Sequence, residues 1–239
     1  MAYPEAEIVP SAVRTVAYWD EYAPWYRLWL EHTDYHRGVK DRLAGIARPG
    51  WKVLDIGGGS GVLAVPLART GCRVTVVEPS EAMRAYLREE IVRAGVTAVR
   101  VVPAPWEDVA VGDVAGFDLA VACNSLHLTG LGTRGGLERV LAAGPERIFI
   151  ASELDIPFPQ DAGGEAGFVV AGRGSFLTEN SFRYHSREEA LRHLALKAKH
   201  GQDRPTEEEF LKSLVREDGH FVRKRWATVR WLQLRRAPG

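Results

Sequence analysis

The sequence predicts an α/β fold in which helices cover both faces of a doubly wound, mostly parallel sheet. Three observations carry this prediction. Between residues 50 and 152, short apolar runs alternate with amphipathic stretches of helical period. The apolar runs are continuous rather than alternating, as strands buried on both faces are. Glycines close several of the helical stretches, where a left-handed C-cap is needed. Strands that alternate with helices assemble into a parallel sheet.

The elements follow in order. Residues 11–31 form an aromatic helix with Tyr18, Trp19, Tyr22, Trp25, Tyr26 and Trp29, and Pro24 is expected to kink or divide it. A second helix over 35–47 ends near Pro49-Gly50. Lys52 to Ile56 is the first strand, and a helix over 60–70 closes at Gly71. Arg73 to Val77 is the second strand, ending in Glu78-Pro79. Ser80 caps a helix that runs to Ala94 and stops at Gly95. Strands are expected at 98–102, 117–123 and 147–151, with a helix over 136–143. Residues 153–185, rich in Gly, Pro and aromatics, read as a long loop excursion. Ser186 to Glu189 and Thr206 to Glu209 match capping boxes and open two further helices. Residues 221–236 supply one or two final strands, at least one antiparallel. The expected organisation is one domain: a helical cap over 1–49, a core over 50–152, a variable substrate-covering segment over 153–220, and C-terminal strands over 221–239.

Bulk properties narrow the partners. The 239 residues are 46% hydrophobic, enough for a substantial core. Thirty-one basic residues balance 31 acidic ones, so the strong basic footprint of a nucleic-acid binder is absent. The basic C-terminal stretch, Arg223-Lys224-Arg225 with Arg230, Arg235 and Arg236, is better explained as charge protecting a sheet edge. Two cysteines without ligand spacing indicate a reducing compartment. No secretory leader and no membrane span are visible, so the cytoplasm is expected. His32, His36 and nearby carboxylates show no metal-ligand spacing, and no metal is expected. A homodimer is left open.

The turn Asp55-Ile56-Gly57-Gly58-Gly59-Ser60-Gly61 follows the first strand and precedes a helix. Such a turn brings backbone N–H groups close to a ligand, and the glycines remove the Cβ atoms that would block it. Ligands of doubly wound sheets bind beyond the carboxyl ends of the strands, where Asp55 and Glu78 would both stand. The glycines at 57, 59 and 61 do not fit the dinucleotide pattern G-x-G-x-x-G, whose last position is Val62 here.

The acid before the turn gives D-x-G-x-G-x-G, which resembles motif I of class I S-adenosylmethionine-dependent methyltransferases. Val74 to Ser80 is similar to that family's second motif, whose acid, here Glu78, takes the ribose hydroxyls. Ala104-Pro105-Trp106-Glu107-Asp108 resembles the adenine-side loop, and Phe117 to His127 resembles the fourth strand and the turn beside the methyl group. The aromatic opening, Tyr18 to Tyr26, is similar to the helix of the small-molecule, quinone-biosynthesis branch. The resemblance spans about residues 15–150 and implies a Rossmann-like fold, S-adenosylmethionine as cofactor, and methyl transfer to a small or lipophilic acceptor. It assigns Tyr18, Tyr22, Asp55, Gly57, Gly58, Gly59, Glu78, Pro79, Met83, Pro105, Trp106, Glu107, Asn124 and Ser125 to the cofactor, with Met83 equally explained as core packing.

Methyl transfer from a sulfonium is an in-line displacement that mainly requires alignment and exclusion of water. A base is optional. His127, just past the fourth strand, is the candidate, against a structural role in the turn. Tyr18 and Tyr22 are expected to face the cationic cofactor, whereas Trp25 and Trp29 are expected to pack. Phe158, Phe168, Val169, Val170, Phe176 and Leu177 offer an apolar wall for the acceptor. Amino-methylating enzymes acting on nucleobases carry Asn/Asp-Pro-Pro-aromatic where Asn124-Ser125-Leu126-His127 stands, and no Pro-Cys nucleophile occurs. Two rivals remain: a non-catalytic protein that binds the nucleoside, and a nicotinamide-dependent oxidoreductase, which the glycine spacing disfavours.

Overall fold

A computed structural model describes residues 15–157, 167–202 and 205–237. A seven-stranded sheet forms its centre, with strand order β3-β2-β1-β4-β5-β10-β6. The strands are β1 (Lys52–Ile56), β2 (Arg73–Val77), β3 (Val99–Val102), β4 (Leu119–Cys123), β5 (Arg147–Ser152), β6 (Phe168–Glu179) and β10 (Trp226–Arg236). Neighbours from β3 to β5 pair parallel, and β10 runs antiparallel to both β5 and β6. The expected mostly parallel sheet with an antiparallel C-terminal strand is therefore the observed one.

Alternate residues of each strand serve opposite faces. Val53, Val74, Val76, Leu119 and Val121 enter one apolar cluster, while Leu54, Ile56, Val77, Ala120 and Ala122 enter the other. Both faces are buried, which is why these strands read as mostly apolar runs without alternation. The helices are α1 (Val16–Leu30), α2 (Arg37–Ile46), α3 (Ala64–Arg69), α4 (Glu81–Ala94), α5 (Gly132–Ala143), α6 (Arg187–Lys199) and α7 (Glu207–Lys212). A small antiparallel sheet, β7 (Phe182–Tyr184), β9 (His220–Arg223) and β8 (Val215–Glu217), lies outside the main one. No described helix is long and apolar enough to cross a membrane.

Local chemistry sets the ends. Ser80 Oγ accepts the Met83 N–H at 3.2 Å and so starts α4, and Gly95 ends it at φ +64°. Asp20 of α1 accepts from Ser80 Oγ at 2.7 Å and from Ala82 N–H at 3.1 Å, which fixes α1 against the start of α4. The Thr206 capping box is complete. At Ser186 the side chain caps Glu189 N–H, but the Glu189 carboxylate takes the N–H of His185 instead.

Three expectations need correction. Pro24 does not divide α1, which runs unbroken from Val16 to Leu30. Its outer face is held by packing: Trp25 stacks on buried His193 of α6, with ring centroids 4.7 Å apart. The 153–185 segment is not a loop throughout, because residues 168–179 form the edge strand β6. Its glycines misled the reading: Gly172 and Gly174 make room for the Trp231 indole, which packs against both. The apolar wall expected from this segment is not formed by it. Phe168 is core, Phe176 lies under the Arg42 guanidinium at 4.7 Å, and Leu177 is exposed. Val169 and Val170 pair with β10, and Phe158 lies outside the described residues.

Candidate active site

The strand order reverses between β1 and β4, and a cavity of about 440 Å³ opens at the carboxyl ends of these strands. Doubly wound sheets place their ligand crevice at such a reversal. The glycine turn after β1 forms its floor. Gly57 has φ +65°, and a Cβ there would lie 2.5 Å from the Ser125 Cβ. Gly59 has φ +55° and faces open space. The first glycine thus lets the end of β4 close on the turn, and the second leaves the cavity free.

Glu78 is held beside this turn. Its Oε2 accepts the Gly59 N–H at 2.9 Å and its Oε1 accepts the Ser80 N–H at 2.8 Å. Burial raises its pKa, against the lowering effect of those two N–H groups. Arg84, buried on α4, donates from Nη1 to the Glu78 carbonyl at 2.8 Å and the Pro79 carbonyl at 2.5 Å, and pairs with Glu81. This arginine fixes the strand end that presents the carboxylate, and sequence reasoning missed it.

Many of the expected residues meet here. Gly57, Gly59, Glu78, Pro79 and Met83 form one side of the wall. Pro105, Trp106 and Glu107 form another, with the Trp106 indole anchored to the Gly136 carbonyl at 3.2 Å. Asn124, Ser125 and His127 stand at the end of β4, and Tyr22 reaches in from α1. Ser125 Oγ donates to the Ile56 carbonyl at 2.6 Å, joining β4 to the glycine turn.

Three expected residues stand outside the wall. Asp55 is buried beneath the turn, 2.9 Å from where a Gly58 Cβ would be, and Gly58 faces that acid rather than the cavity. Burial, and then Glu78, push Asp55 up to about 7, and its Oδ2 has no hydrogen-bond partner. Tyr18 points away: it stacks on Tyr22 and accepts a hydrogen bond from Gln202 at 2.9 Å. From α1, Trp19, Tyr26 and Trp29 line the cavity beside Tyr22. Trp29 packs in the core as expected and presents a face to the cavity as well.

A polar network that the sequence did not reveal closes the far end. Tyr35 Oη donates to Glu153 Oε1 at 2.7 Å and accepts from Asn124 Nδ2 at 2.7 Å. Asn124 Oδ1 accepts the Glu153 N–H at 2.9 Å, and Asn180 Nδ2 donates to Glu153 Oε1 at 3.2 Å. Asn124 has φ +50°, a conformation that few residues other than Gly adopt and Asn tolerates best. Glu153 follows β5 as Glu78 follows β2, so the strand-end rule that found Glu78 would have found it. Tyr35 and Asn180 carry no such signal.

Electrostatically the cavity is one-sided. Glu78, Glu107 and Glu153 line it, and no Lys or Arg does among the described residues. His36, also in the wall, is pushed down to about 3 by burial and is neutral. Cys123 is pushed up to about 12 by burial and is a thiol. Burial also raises the Tyr26 and Tyr35 phenols far above their ordinary range.

Residues 53–143 match the family model of a methyltransferase domain. That domain contains the glycine turn, Glu78, the Pro105–Glu107 loop, Asn124, Ser125 and His127. A search of curated proteins finds no match. Among solved structures, the 4+2 cyclase SpnF superposes with a TM-score of 0.63 at 16% identity, covering 99% of this chain and 100% of its own. Magnesium protoporphyrin IX methyltransferase from Synechocystis PCC 6803, with S-adenosylmethionine bound, gives 0.57 at 14%, covering 97% and 99%. Coclaurine N-methyltransferase, bound to N-methylheliamine and S-adenosylhomocysteine, gives 0.51 at 15%, covering 84% and 70%. These likenesses establish the fold.

Proposed function

We propose that this protein binds S-adenosylmethionine in the cavity and transfers its methyl group to a neutral or cationic small molecule. One observation carries the proposal: an acid-lined, aromatic cavity without basic side chains, built on the glycine turn of a methyltransferase domain. A sulfonium nucleoside with an ammonium group suits such a wall, since acids and aromatic faces both attract cations. A dinucleotide brings a pyrophosphate, which this wall would repel. That weighs against the nicotinamide reading independently of glycine spacing.

The residues fit the cofactor. Each Glu78 oxygen accepts one backbone N–H, and a carboxylate oxygen has capacity for a second donor, such as a sugar hydroxyl. Gly57 and Gly59 leave a cradle without side chains, and Pro79, Met83, Pro105 and Trp106 offer apolar flanks for a base.

The bound cofactor supplies an activated methyl group. The chain's own part is to align the acceptor against it, exclude water and receive a proton. Tyr35, Asn124, Glu153 and Asn180 hold one another and would orient the acceptor. His127 lies in the same wall and would take a proton from a hydroxyl or amine. Trp19, Tyr22, Tyr26 and Trp29 line the α1 side of the site and would exclude water there.

Calorimetry with S-adenosylhomocysteine and with NAD tests the first half. Only the former should bind. Glu78→Gln should weaken it by about 10–100-fold, the worth of a hydrogen bond to a charged group. Binding of NAD alone, or an unaffected Glu78→Gln, would remove the proposal. A second reading is favoured by SpnF, which shows that this fold hosts a cyclase. Under it, the nucleoside binds but no acceptor of any charge gains a methyl group from labelled donor.

A further inference from the structure

Away from the cavity, His32, His185 and His220 form a cluster that no sequence spacing announces. His32 follows α1, His185 stands between β7 and α6, and His220 opens β9. One nitrogen from each ring lies within 4.8 Å of the other two. The ring centroids of His220 are 5.2 Å from His32 and 5.3 Å from His185. Three imidazoles converging from separate segments have no need of one another for packing, because His185 is exposed and the others are half-buried. Three protonated rings would repel.

The surroundings resemble the outer shell of a metal centre. The Nδ1 of His185 lies 3.2 Å from the Glu189 carboxylate, and the Nδ1 of His220 lies 2.9 Å from the Asp218 carbonyl. Both partners are acceptors only, so each Nδ1 carries the proton and each Nε2 keeps the lone pair that a metal requires. Carboxylate and carbonyl partners of this kind fix ligand histidines in known metal sites. The nearby Arg183 is paired with Glu217 at 3.3 Å, which offsets its charge.

We propose that His32, His185 and His220 bind one divalent transition-metal ion of the zinc class, with water as a fourth ligand. Three imidazoles and an open position are a standard zinc donor set. Tetrahedral zinc, with bonds of about 2.0–2.1 Å, holds its nitrogens about 3.3 Å apart. The cluster must contract by up to about 1.5 Å, which small torsional shifts of the three side chains within their rotamer wells can supply. The ion would tie the end of α1 to the small sheet. Trp29 and Phe182, three residues before His32 and His185, both line the cavity, so the clamp would set its rim. The expectation of no metal rested on spacing along the chain, to which ligands 153 and 35 residues apart are invisible. This inference is independent of the methyl-transfer proposal.

The test is zinc titration of EDTA-treated protein by calorimetry, with thermal melting alongside. One zinc per chain is expected. His32→Gln, His185→Gln and His220→Gln should each lower affinity more than about tenfold, and Glu189→Gln by about tenfold. His200→Gln, outside the cluster, should bind as wild type. At zinc a hundredfold above the dissociation constant, folding should be favoured about a hundredfold, and the melt should rise accordingly. The three ligand variants in EDTA should melt as wild type does in EDTA, and any that fails to fold leaves the other two to decide. Absent binding, several ions per chain, or equal losses in His200→Gln would overturn the proposal.

Discussion

Gly57→Ala tests the geometry of the floor of the cavity. The backbone there has φ +65°, and a methyl group would sit 2.5 Å from the Ser125 Cβ. The left-handed conformation costs an alanine about 1–2 kcal/mol. Overlap with a packed neighbour adds about 1–3 kcal/mol. Stiffening of the unfolded chain returns about 0.4–1 kcal/mol. The expected loss of stability is therefore about 1–5 kcal/mol, read as a lower urea midpoint at unchanged slope. Ser125→Gly should relieve the overlap but not the strain. Alone it loses the 2.6 Å hydrogen bond to the Ile56 carbonyl, about 1 kcal/mol. The double variant should thus be more stable than the sum of the singles by about 1 kcal/mol or more. A Gly57→Ala loss within about 0.5 kcal/mol of zero, or strict additivity, would refute the contact and with it the account of why glycine stands there.

Three further outcomes are expected. Asp55 is pushed up to about 7, whereas an unfolded Asp titrates near ~3.9, so between those values only the folded chain holds the proton. Stability should fall as pH rises across that window, by about 1.4 kcal/mol per unit from this group; Asp55→Asn should flatten the fall in urea midpoints, and an unchanged slope would contradict the assignment. Tyr35→Phe and Glu153→Gln should lower methyl-transfer kcat by about tenfold or more while leaving S-adenosylhomocysteine affinity within about twofold, and a loss of that affinity instead would move the network to the cofactor side. Cys72, buried and raised by that burial, should resist a thiol reagent at neutral pH until the chain unfolds, so its rapid labelling in native buffer would count against the packing around it.

The elements with strict local chemistry were legible in the sequence. β1 and β2 have two buried faces and hence mostly apolar, non-alternating runs, interrupted inside the strand only by Asp55 and Thr75. Ser80 and Gly95 bound α4 because each supplies what a helix end lacks. The glycine turn and Glu78 were legible because one backbone path must approach a ligand closely. What escaped depends on partners distant in sequence. β6 looked like a loop because its glycines make sense only beside Trp231 of β10. Tyr35 meets Asn124 and Glu153 across 89 and 118 residues of chain, and no periodicity records that meeting. Tyr18 was expected at the cavity and packs away from it, because one helix carries aromatics nearly all round. The face turned to the cavity is set by what packs behind it, and Gln202 and His200 claim Tyr18.

The place of β10 governs the order in which the sheet can be completed. Both its edges are occupied, by β5 on one side and β6 on the other. During synthesis, residues 168–179 therefore wait for residues 226–236 before any strand of this sheet can receive them. A ribosome that stalled before Trp226 would hold a chain with the edge of β5 uncovered and β6 unpaired, a nascent form suited to chaperone capture or aggregation.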